Sequence, residues 1–387
     1  MARFLRLQRA RIPYIPTLYP DGVNLIGFLS ASLGLGQGAR LYANALEASG
    51  IPHTLLDVRL SQDIAYNNKE FEGRFAAMPV FSINVVHINP DVLPILYGLT
   101  PRSYWDKRYN IGVWLWELEQ IPIAWHELMG EFDELWAPSN FVADALRRVS
   151  KVPVHVVPYG IAVPVDPGLT RESFGLLEDV FLVICMFDLH SYASRKNPAA
   201  AVQAFFKAFG ENHHKARLIL KVHNASPEER AELDRMIDGS ENVIVIDKEM
   251  EKQEVNSLIQ CCDVLISLHR SEGFGLVLAE AMYLGVPVIA TNWSANVDFM
   301  NPGNACMVDY TLIPTDGSYI YGQTDQRWAE PDVDQASGYL RRLYEEPSYR
   351  QAISEAAMAS IRRDFSIARC AESMGKRYKE ILGKHLR

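Results

Sequence analysis

The repeated alternation of short β-type runs with helical patterns constrains the fold of this chain more than any other feature. Apolar runs bounded by turn residues predict strands, and stretches with a 3.6-residue period predict helices between them. Such an order favours parallel sheets with helices on both faces, because parallel strands need a crossover that a helix usually supplies. The strands are predicted at residues 23–29, 53–58, 81–88, 110–115, 135–138 and 154–157 in the first half, and at 180–187, 216–222, 242–247, 263–269 and 287–292 in the second.

A segment rich in proline and glycine, residues 158–168, separates the two halves and has the composition of a linker. The chain of 387 residues is long enough for two domains. We therefore predict two Rossmann-like, doubly wound α/β domains at 1–165 and 166–365, with a C-terminal helix at 366–387 that packs back on the first domain. Doubly wound sheets bind ligands beyond the carboxyl ends of their strands, so the active site is expected in the cleft between the halves.

Composition and charge exclude several classes of protein. Hydrophobic residues make up 48% and charged residues 22%, as in ordinary globular proteins. The longest apolar run, Val180 to Phe187, is far shorter than the ~20 residues of a membrane span. A net charge of −9 argues against a nucleic-acid partner. The 5 cysteines match no zinc or redox spacing, so neither a structural metal nor a disulfide is predicted.

The N-terminus is locally basic. Four arginines precede the first acidic residue, and apolar residues stand among them: Arg3, Arg6, Arg9 and Arg11. Such a segment can bind an anionic membrane surface, and a solvated terminus is the alternative interpretation. Because no long apolar stretch typical of a signal peptide is present, we expect a cytoplasmic protein with peripheral contact at the inner face of the membrane.

The strongest motif spans residues 271–290 and begins Ser-Glu-Gly-Phe-Gly-Leu, after a predicted strand and at the start of a helix. Gly273 and Gly275 let backbone amides approach a ligand, and a helix N-terminus favours an anion. Glu272 precedes the helix, and Glu280 lies about two turns along it. The two carboxylates can hold hydroxyl groups on either side of a phosphate, which is the layout of a nucleotide sugar.

The Glu272-x7-Glu280 spacing within this motif resembles the signature of retaining glycosyltransferases of the GT-B fold, family four, also called glycosyl transferases group 1. The resemblance is strong in the C-terminal half and loose in the N-terminal half. It implies that Glu272 contacts the transferred sugar and that Glu280 binds the ribose of the donor. It also implies that the amides of Phe274, Gly275 and Leu276 meet the sugar and phosphate.

A second motif, Arg195-Lys196-Asn197-Pro198, opens a predicted helix. Two cations beside a helix start suit a diphosphate, although a solvated basic pair is the alternative. The resemblance implies that a lysine and an arginine here bind the donor pyrophosphate. Lys196 matches the family lysine. The family arginine usually lies several residues earlier, so Arg195 is interpreted as its substitute.

A third motif places Gly34, Gly36 and Gly38 after the first predicted strand. Glycines in this spacing also occur in dinucleotide-binding motifs. Such motifs have an acidic residue at the end of the second strand, and Asp57 lies near that position. The resemblance favours a loop that closes over the donor diphosphate.

Weaker candidates follow other predicted strands. His87 and Asn89 are interpreted as sugar contacts or as structural residues, Glu117 as a contact with sugar or acceptor, and Lys221 as a donor-binding residue. An Asp-x-Asp sequence at 332–334, a metal-binding pattern in other glycosyltransferases, is predicted to be a helix start instead.

The resemblance implies a retaining, metal-independent glycosyltransferase, in which the N-terminal domain lies on the acceptor side and the C-terminal domain binds the nucleotide sugar. It would move a hexose from a nucleotide-diphosphate sugar, with no other cofactor, to a glycan or lipid-linked glycan acceptor in bacterial surface polysaccharide synthesis. A GT-B sugar-nucleotide epimerase and a non-catalytic GT-B scaffold are the alternatives. No residue identifies the nucleotide.

Overall fold

The computed structural model describes residues 11–60, 64–188, 192–210, 213–223, 225–237, 239–317 and 325–385. The chain forms two compact units: unit 1 consists of Met1–Gly160 and Phe365–Arg387, and unit 2 of Ile161–Asp364. Three of the arginines in the predicted membrane-binding segment, Arg3, Arg6 and Arg9, lie outside the described residues. Arg11 is described and pairs with Asp133 at 2.7 Å.

Unit 1 contains a six-stranded parallel sheet in the order β2-β1-β3-β4-β5-β6. The central strands are buried along their whole length, as expected for a parallel sheet covered on both faces. The predicted strands are all confirmed, with ends that differ by a few residues. They are β1 (Val23–Gly27), β2 (His53–Asp57), β3 (Ile83–His87), β4 (Tyr109–Val113), β5 (Glu134–Ala137) and β6 (Val154–Val156).

The helices of unit 1 begin and end at residues with clear local reasons. The Ser139 side chain accepts a hydrogen bond from the Val142 amide and caps the helix that follows. Gly50 adopts φ 68°, a left-handed conformation that ends the preceding helix. The tryptophans of this unit are buried in its core. The helices are α1 (Gly34–Ser49), α2 (Leu93–Leu99), α3 (Ile123–His126) and α4 (Asn140–Arg147).

Unit 2 contains a second six-stranded parallel sheet, in the order β12-β11-β10-β7-β8-β9, and a two-stranded antiparallel hairpin, β13-β14. The chain runs outward from β7 to β9 and then returns to the other side of β7 with β10, so strand order reverses between β7 and β10. The strands are β7 (Phe181–Asp188), β8 (Ala216–His223), β9 (Val243–Ile246), β10 (Val264–Ser267), β11 (Val288–Thr291), β12 (Cys306–Val308), β13 (Tyr310–Pro314) and β14 (Arg327–Pro331).

Side chains cap the helix starts of unit 2. Glu229 accepts from the Ser226 amide at 2.9 Å, and Ser226 Oγ accepts from the Glu229 amide at 3.2 Å, which forms a capping box. Asp332 accepts from the amides of Asp334 and Gln335, so the Asp-x-Asp sequence is a helix start as predicted. The helices are α5 (Ala193–Lys196), α6 (Pro198–Phe209), α7 (Pro227–Ile237), α8 (Lys252–Gln260), α9 (Leu276–Leu284), α10 (Val333–Glu345) and α11 (Pro347–Asp364).

The last helix, α12 (Ile367–His385), belongs to unit 1, where it packs along α1. Its Arg377 lies beside the buried carboxylate of Glu134 and donates to both oxygens of that group. Among the helices of the described residues, none is long and apolar enough to cross a bilayer.

Candidate active site

The candidate site lies at the carboxyl edge of the unit 2 sheet, where strand order reverses. Lys196 follows β7, and Glu272 follows β10, which is the neighbour of β7 in the sheet. At such a reversal the connections leave in opposite directions and open a crevice, the usual ligand position in doubly wound folds. The topology therefore brings together two motifs that are 76 residues apart in sequence.

Glu272 forms ion pairs with both predicted cations. Lys196 Nζ lies 2.5 Å from Glu272 Oε1, and Arg195 Nη1 lies 3.4 Å from Oε2. The Glu272 side chain is only 12% exposed. Burial alone would raise the pKa of its carboxyl, but Lys196 and Arg195 outweigh burial and lower the pKa to about 2. Glu272 is thus an anion at every ordinary pH, held where two cations converge.

Several residues around this cluster adopt left-handed backbone conformations. Tyr192, Asn197 and Ser294 have φ values of 63°, 52° and 75°, and Gly275 has φ 90°. Non-glycine residues rarely adopt such angles, and their concentration beside one carboxylate is typical of functional sites. The turn at Ser294 holds the backbone of Glu272, because the Ser294 hydroxyl accepts a hydrogen bond from the Glu272 amide at 2.8 Å.

A buried polar network supports Glu272 from the sheet side. His269 Nε2 lies 3.1 Å from Asn296 Oδ1, and Asn296 Nδ2 donates to Thr291 O at 2.9 Å. Thr291 Oγ1 donates to His269 O at 2.6 Å and closes the network. Burial lowers the pKa of His269, which keeps the ring neutral. The sequence analysis missed His269, although a histidine between a buried strand and the motif could have drawn attention to it.

Glu280 lies within α9 and is buried, with 4% of the residue exposed. Its Oε2 accepts from Lys252 Nζ at 2.7 Å, at the start of α8. Both glutamates of the motif therefore have a lysine partner. No feature of the sequence pointed to Lys252.

The loop between the glutamates provides the helix N-terminus. Gly275 is the N-cap of α9, and Leu276 is the first helical residue. Phe274 is buried and its ring packs against Phe299 at 5.4 Å, so only its backbone is available to a ligand. The positive end of α9 thus lies next to Glu272 and its two cations.

Solved structures with the same fold include glycosyltransferases. A glycosyltransferase from Rickettsia africae matches with a TM-score of 0.69 and 16% identity, covering 94% of this chain and 99% of that one. Anabaena Alr3699/HepE, solved with UDP and glucose, matches with a TM-score of 0.64 and 13% identity, covering 92% and 99%. The profile of the family "Glycosyl transferases group 1" matches residues 189–317, a range that contains Lys196, Glu272 and Glu280. This part of the chain is therefore similar to the group 1 glycosyltransferases. Its two sheets are those of the GT-B fold.

Two curated relatives of this chain are named as mannosyltransferases. One, from Corynebacterium glutamicum, is a GDP-mannose-dependent monoacylated alpha-(1-6)-phosphatidylinositol monomannoside mannosyltransferase, 26% identical over 57% of this chain and 52% of the relative. The other is the Homo sapiens Alpha-1,3/1,6-mannosyltransferase ALG2, 25% identical over 72% of this chain and 62% of the relative. The chain thus spans less than two thirds of the length of both.

Lys221, predicted to bind the donor, has backbone partners in the structure. Its Nζ is buried and donates to the carbonyl oxygens of Val222 and Lys248, at 2.8 and 2.9 Å. The ammonium ties the end of β8 to the segment after β9. A nucleotide contact would require Lys221 to give up these bonds, so the structure favours a structural role.

The remaining candidates lie in unit 1. His87 is fully buried, and its Nε2 lies 2.8 Å from the Tyr159 hydroxyl, which leaves no surface for a sugar. Of the two interpretations of His87, this burial favours the structural one. Asn89 Oδ1 accepts from the Leu115 amide at 2.9 Å. Glu117 is half-buried and electrostatically raises the pKa of Asp91, after the larger effect of burial.

Two glycines of the unit 1 loop open α1. Gly34 is the first helical residue, and a Cβ placed there would meet no atom within 4 Å. At Gly36 a Cβ would lie 2.4 Å from Ala31 O and 2.7 Å from Phe28 O, so the loop's own backbone requires glycine. Asp57 accepts hydrogen bonds from the amide and hydroxyl of Ser30, which holds the start of this loop.

Proposed function

We propose that this protein is a retaining, metal-independent hexosyltransferase of EC class 2.4. It transfers a hexose from a nucleotide-diphosphate sugar to a glycan or lipid-linked glycan. The observation that carries the proposal is the cluster of Glu272, Lys196 and Arg195 at the N-terminus of α9. The two cations and the helix N-terminus already hold one anion, the Glu272 carboxylate, and the same arrangement suits a phosphate.

The mechanism follows from where charge develops. As the glycosidic bond to phosphate breaks, negative charge grows on the leaving diphosphate, and preorganised cations beside it lower the barrier. Lys196, Arg195 and the α9 N-terminus supply that positive charge without a metal. The acceptor hydroxyl attacks from the same face of the sugar, and the leaving phosphate accepts its proton. No separate protein base is then needed.

Donor binding must change the partners of Lys196. In the free protein its ammonium is paired with Glu272 at 2.5 Å. A donor phosphate competes with this carboxylate for Lys196, which frees Glu272 to accept hydroxyl groups of the transferred sugar. Glu280, whose carboxylate is held by Lys252, is proposed to accept the ribose hydroxyls, and the amides of Phe274, Gly275 and Leu276 to meet sugar and phosphate. The loop of Gly34 and Gly36 is proposed to close over the diphosphate.

The proposed donor is GDP-mannose, because the two curated relatives described above are named as mannosyltransferases and one is named as GDP-mannose-dependent. The UDP-hexoses are the second choice. For the acceptor, we propose a lipid-linked glycan of a bacterial surface polysaccharide. Work on such an acceptor places the protein in the cytoplasm with peripheral contact at an anionic membrane, through the basic N-terminal segment.

A thermal-shift screen against UDP, GDP, dTDP and CMP tests the proposal. A ligand at 100 times its dissociation constant stabilises the folded state by about 2.7 kcal/mol, so the preferred nucleoside diphosphate raises the unfolding temperature measurably. A chain that responds to none of them is not a nucleotide-sugar enzyme. Release of free nucleotide only when an acceptor is present separates a transferase from an epimerase.

A further inference from the structure

The helix α5, which carries Arg195 and Lys196, has only four residues and is not stable by itself. So short a helix does not repay the cost of nucleation, and it lies between Tyr192 and Asn197, both with positive φ. The positions of the two cations must therefore be fixed by contacts outside the helix.

Those contacts come from the residues that follow β10. The Arg270 amide donates to Arg195 O at 2.8 Å, and Arg270 Nη1 donates to Ser194 O at 2.7 Å. In return, Arg195 Nη1 donates to Ser271 O at 2.8 Å. Three hydrogen bonds thus join the two backbone segments immediately beside the Lys196–Glu272 pair.

Arg270 is held from its other side by the β13-β14 hairpin. Its Nε donates to Glu330 Oε2 at 2.6 Å, and its guanidinium carbon lies 5.3 Å from the centre of the Trp328 ring. The Ala329 amide also donates to Arg270 O at 3.0 Å. The Arg270 side chain is only 20% exposed. Its planar guanidinium group donates in fixed directions and so bridges the Glu330 carboxylate and the Ser194 carbonyl.

We propose that Arg270 is a positioning residue: it couples the β13-β14 hairpin to α5 and so fixes Arg195 and Lys196 where they meet the donor diphosphate. This inference rests on the proposed function, which assigns the diphosphate to these cations. Arg270 acts through α5. Lysine cannot replace it, because a single ammonium cannot reach Glu330 and Ser194 in the same geometry.

Affinities for GDP and UDP, measured by calorimetry, test the proposal through a double-mutant cycle. Arg270→Ala is expected to weaken binding of the preferred nucleotide between about tenfold and 100-fold, since a shift of about 1 Å at a site can cost about 100-fold. In a Lys196→Ala background the same substitution should cost about threefold or less, because most of its effect passes through that lysine. If the double variant loses affinity by the product of the two single-variant factors, the substitutions act independently and the proposal is overturned.

A matched control is Arg171, which makes the same kinds of bonds elsewhere in unit 2. It donates to Cys261 O and Val180 O and pairs with Asp263 at 2.9 Å, and its side chain is 17% exposed. Arg171→Ala should lower the unfolding temperature and leave nucleotide affinity unchanged. An equal loss of affinity in Arg171→Ala would show a general effect of destabilisation and overturn the proposal.

Three further outcomes separate the possible explanations. If Arg270→Ala does not fold, Glu330→Gln replaces it; we expect a smaller loss that again largely disappears in Lys196→Ala, and full wild-type affinity would contradict the coupling. If Lys196→Ala binds nucleotide as well as the wild type, the placement of the diphosphate fails, and with it the proposed function. If Lys196→Ala loses affinity while Arg270→Ala does not, only the present inference fails.

Discussion

At the scale of single residues, Glu280 offers a direct test of the donor site, because a lysine already holds one of its oxygens. Oε2 is held by Lys252 at 2.7 Å, and the proposed role of the carboxylate is to accept the ribose hydroxyls. Glu280→Gln should weaken binding of the nucleoside diphosphate by about 1.5–3 kcal/mol, the worth of a hydrogen bond to a charged group. Calorimetry on the wild type and the variant measures the difference.

The matched control for Glu280 is a change in the ligand. A 2′,3′-dideoxynucleoside diphosphate cannot bond to the carboxylate through its ribose. The wild type should therefore prefer the ribonucleotide, and Glu280→Gln should narrow that preference. A preference that is unchanged in the variant would remove Glu280 from the ribose site.

The burial of His87 predicts that the free energy of unfolding depends on pH. Burial lowers its pKa from 6.5 to about 4, because the folded protein resists charging a ring enclosed beside Tyr159. The unfolded chain binds the proton first, so this contribution is fully present above pH 6.5 and is lost as the pH falls to about 4. The loss is roughly 3 kcal/mol. Urea unfolding between pH 4 and pH 7 should show a weaker pH dependence in His87→Gln than in the wild type.

The control for His87 is His53→Gln, which alters a half-buried histidine of β2 and leaves the buried ring in place. This variant should keep the acid destabilisation of the wild type. If His87→Gln keeps it as well, the burial of His87 does not set the pH dependence.

The site residues could be predicted from the sequence where they belong to a recognisable motif. Their partners and their burial could not, because tertiary contacts determine both. Glu272, Lys196 and Arg195 were chosen because carboxylates and cations at helix starts suit a nucleotide sugar. That Glu272 pairs with Lys196 in the free protein depends on the neighbouring positions of β7 and β10. The burial of His87 and Lys221 likewise comes from packing that no local spacing encodes.

At the scale of elements, α12 is fastened to unit 1 by a buried ion pair. Arg377 Nε lies 2.9 Å from Glu134 Oε1, and Tyr109 and Trp136 donate to the same carboxylate at 2.9 and 2.7 Å. Arg377→Met should destabilise the protein by about 3–5 kcal/mol, because it leaves a buried carboxylate without its cation. Urea unfolding monitored by tryptophan fluorescence measures the change.

Two variants define the cause of that loss. Arg369→Met removes an exposed arginine of the same helix, which pairs with Glu372, and should cost no more than about 1 kcal/mol. Adding Glu134→Gln to Arg377→Met should restore part of the stability, because the uncompensated charge is gone. Failure of the double variant to recover any stability would contradict the account.

Most strands and helices could be predicted because hydrophobic residues recur in them with the spacing typical of that structure. The eleven predicted strands are all present, with ends that differ by a few residues. The strands that were missed are β12, with only three residues, and the β13-β14 hairpin, whose two strands each end in proline, a residue that weakens a strand prediction.

At the scale of the whole molecule, the two doubly wound sheets were predictable from the alternation of elements, whereas the domain roles remain predictions. The resemblance is strong only in the C-terminal half, and the family profile likewise matches residues 189–317 in unit 2. The assignment of unit 1 to the acceptor and of unit 2 to the donor therefore rests on the proposed function.

The proposed independence from metal concerns the complete reaction. In the proposed mechanism, Lys196, Arg195 and the α9 N-terminus supply the positive charge that the leaving diphosphate needs. Transfer from GDP-mannose should therefore persist in excess EDTA. Loss of activity in EDTA that magnesium or manganese restores would contradict this assignment.

The central claim is that the donor diphosphate binds beside Lys196, and the turnover of Lys196→Ala tests it most directly. The matched control is Lys207→Ala, which removes an exposed lysine of α6 that pairs with Asp334 at 2.6 Å and should turn over at the parent rate. Lys196→Ala should stay folded and lose about 100-fold or more in kcat, on the scale of one preorganised electrostatic contact in the transition state. A folded Lys196→Ala enzyme that turns over at the parent rate would contradict the placement of the diphosphate and the site built around it.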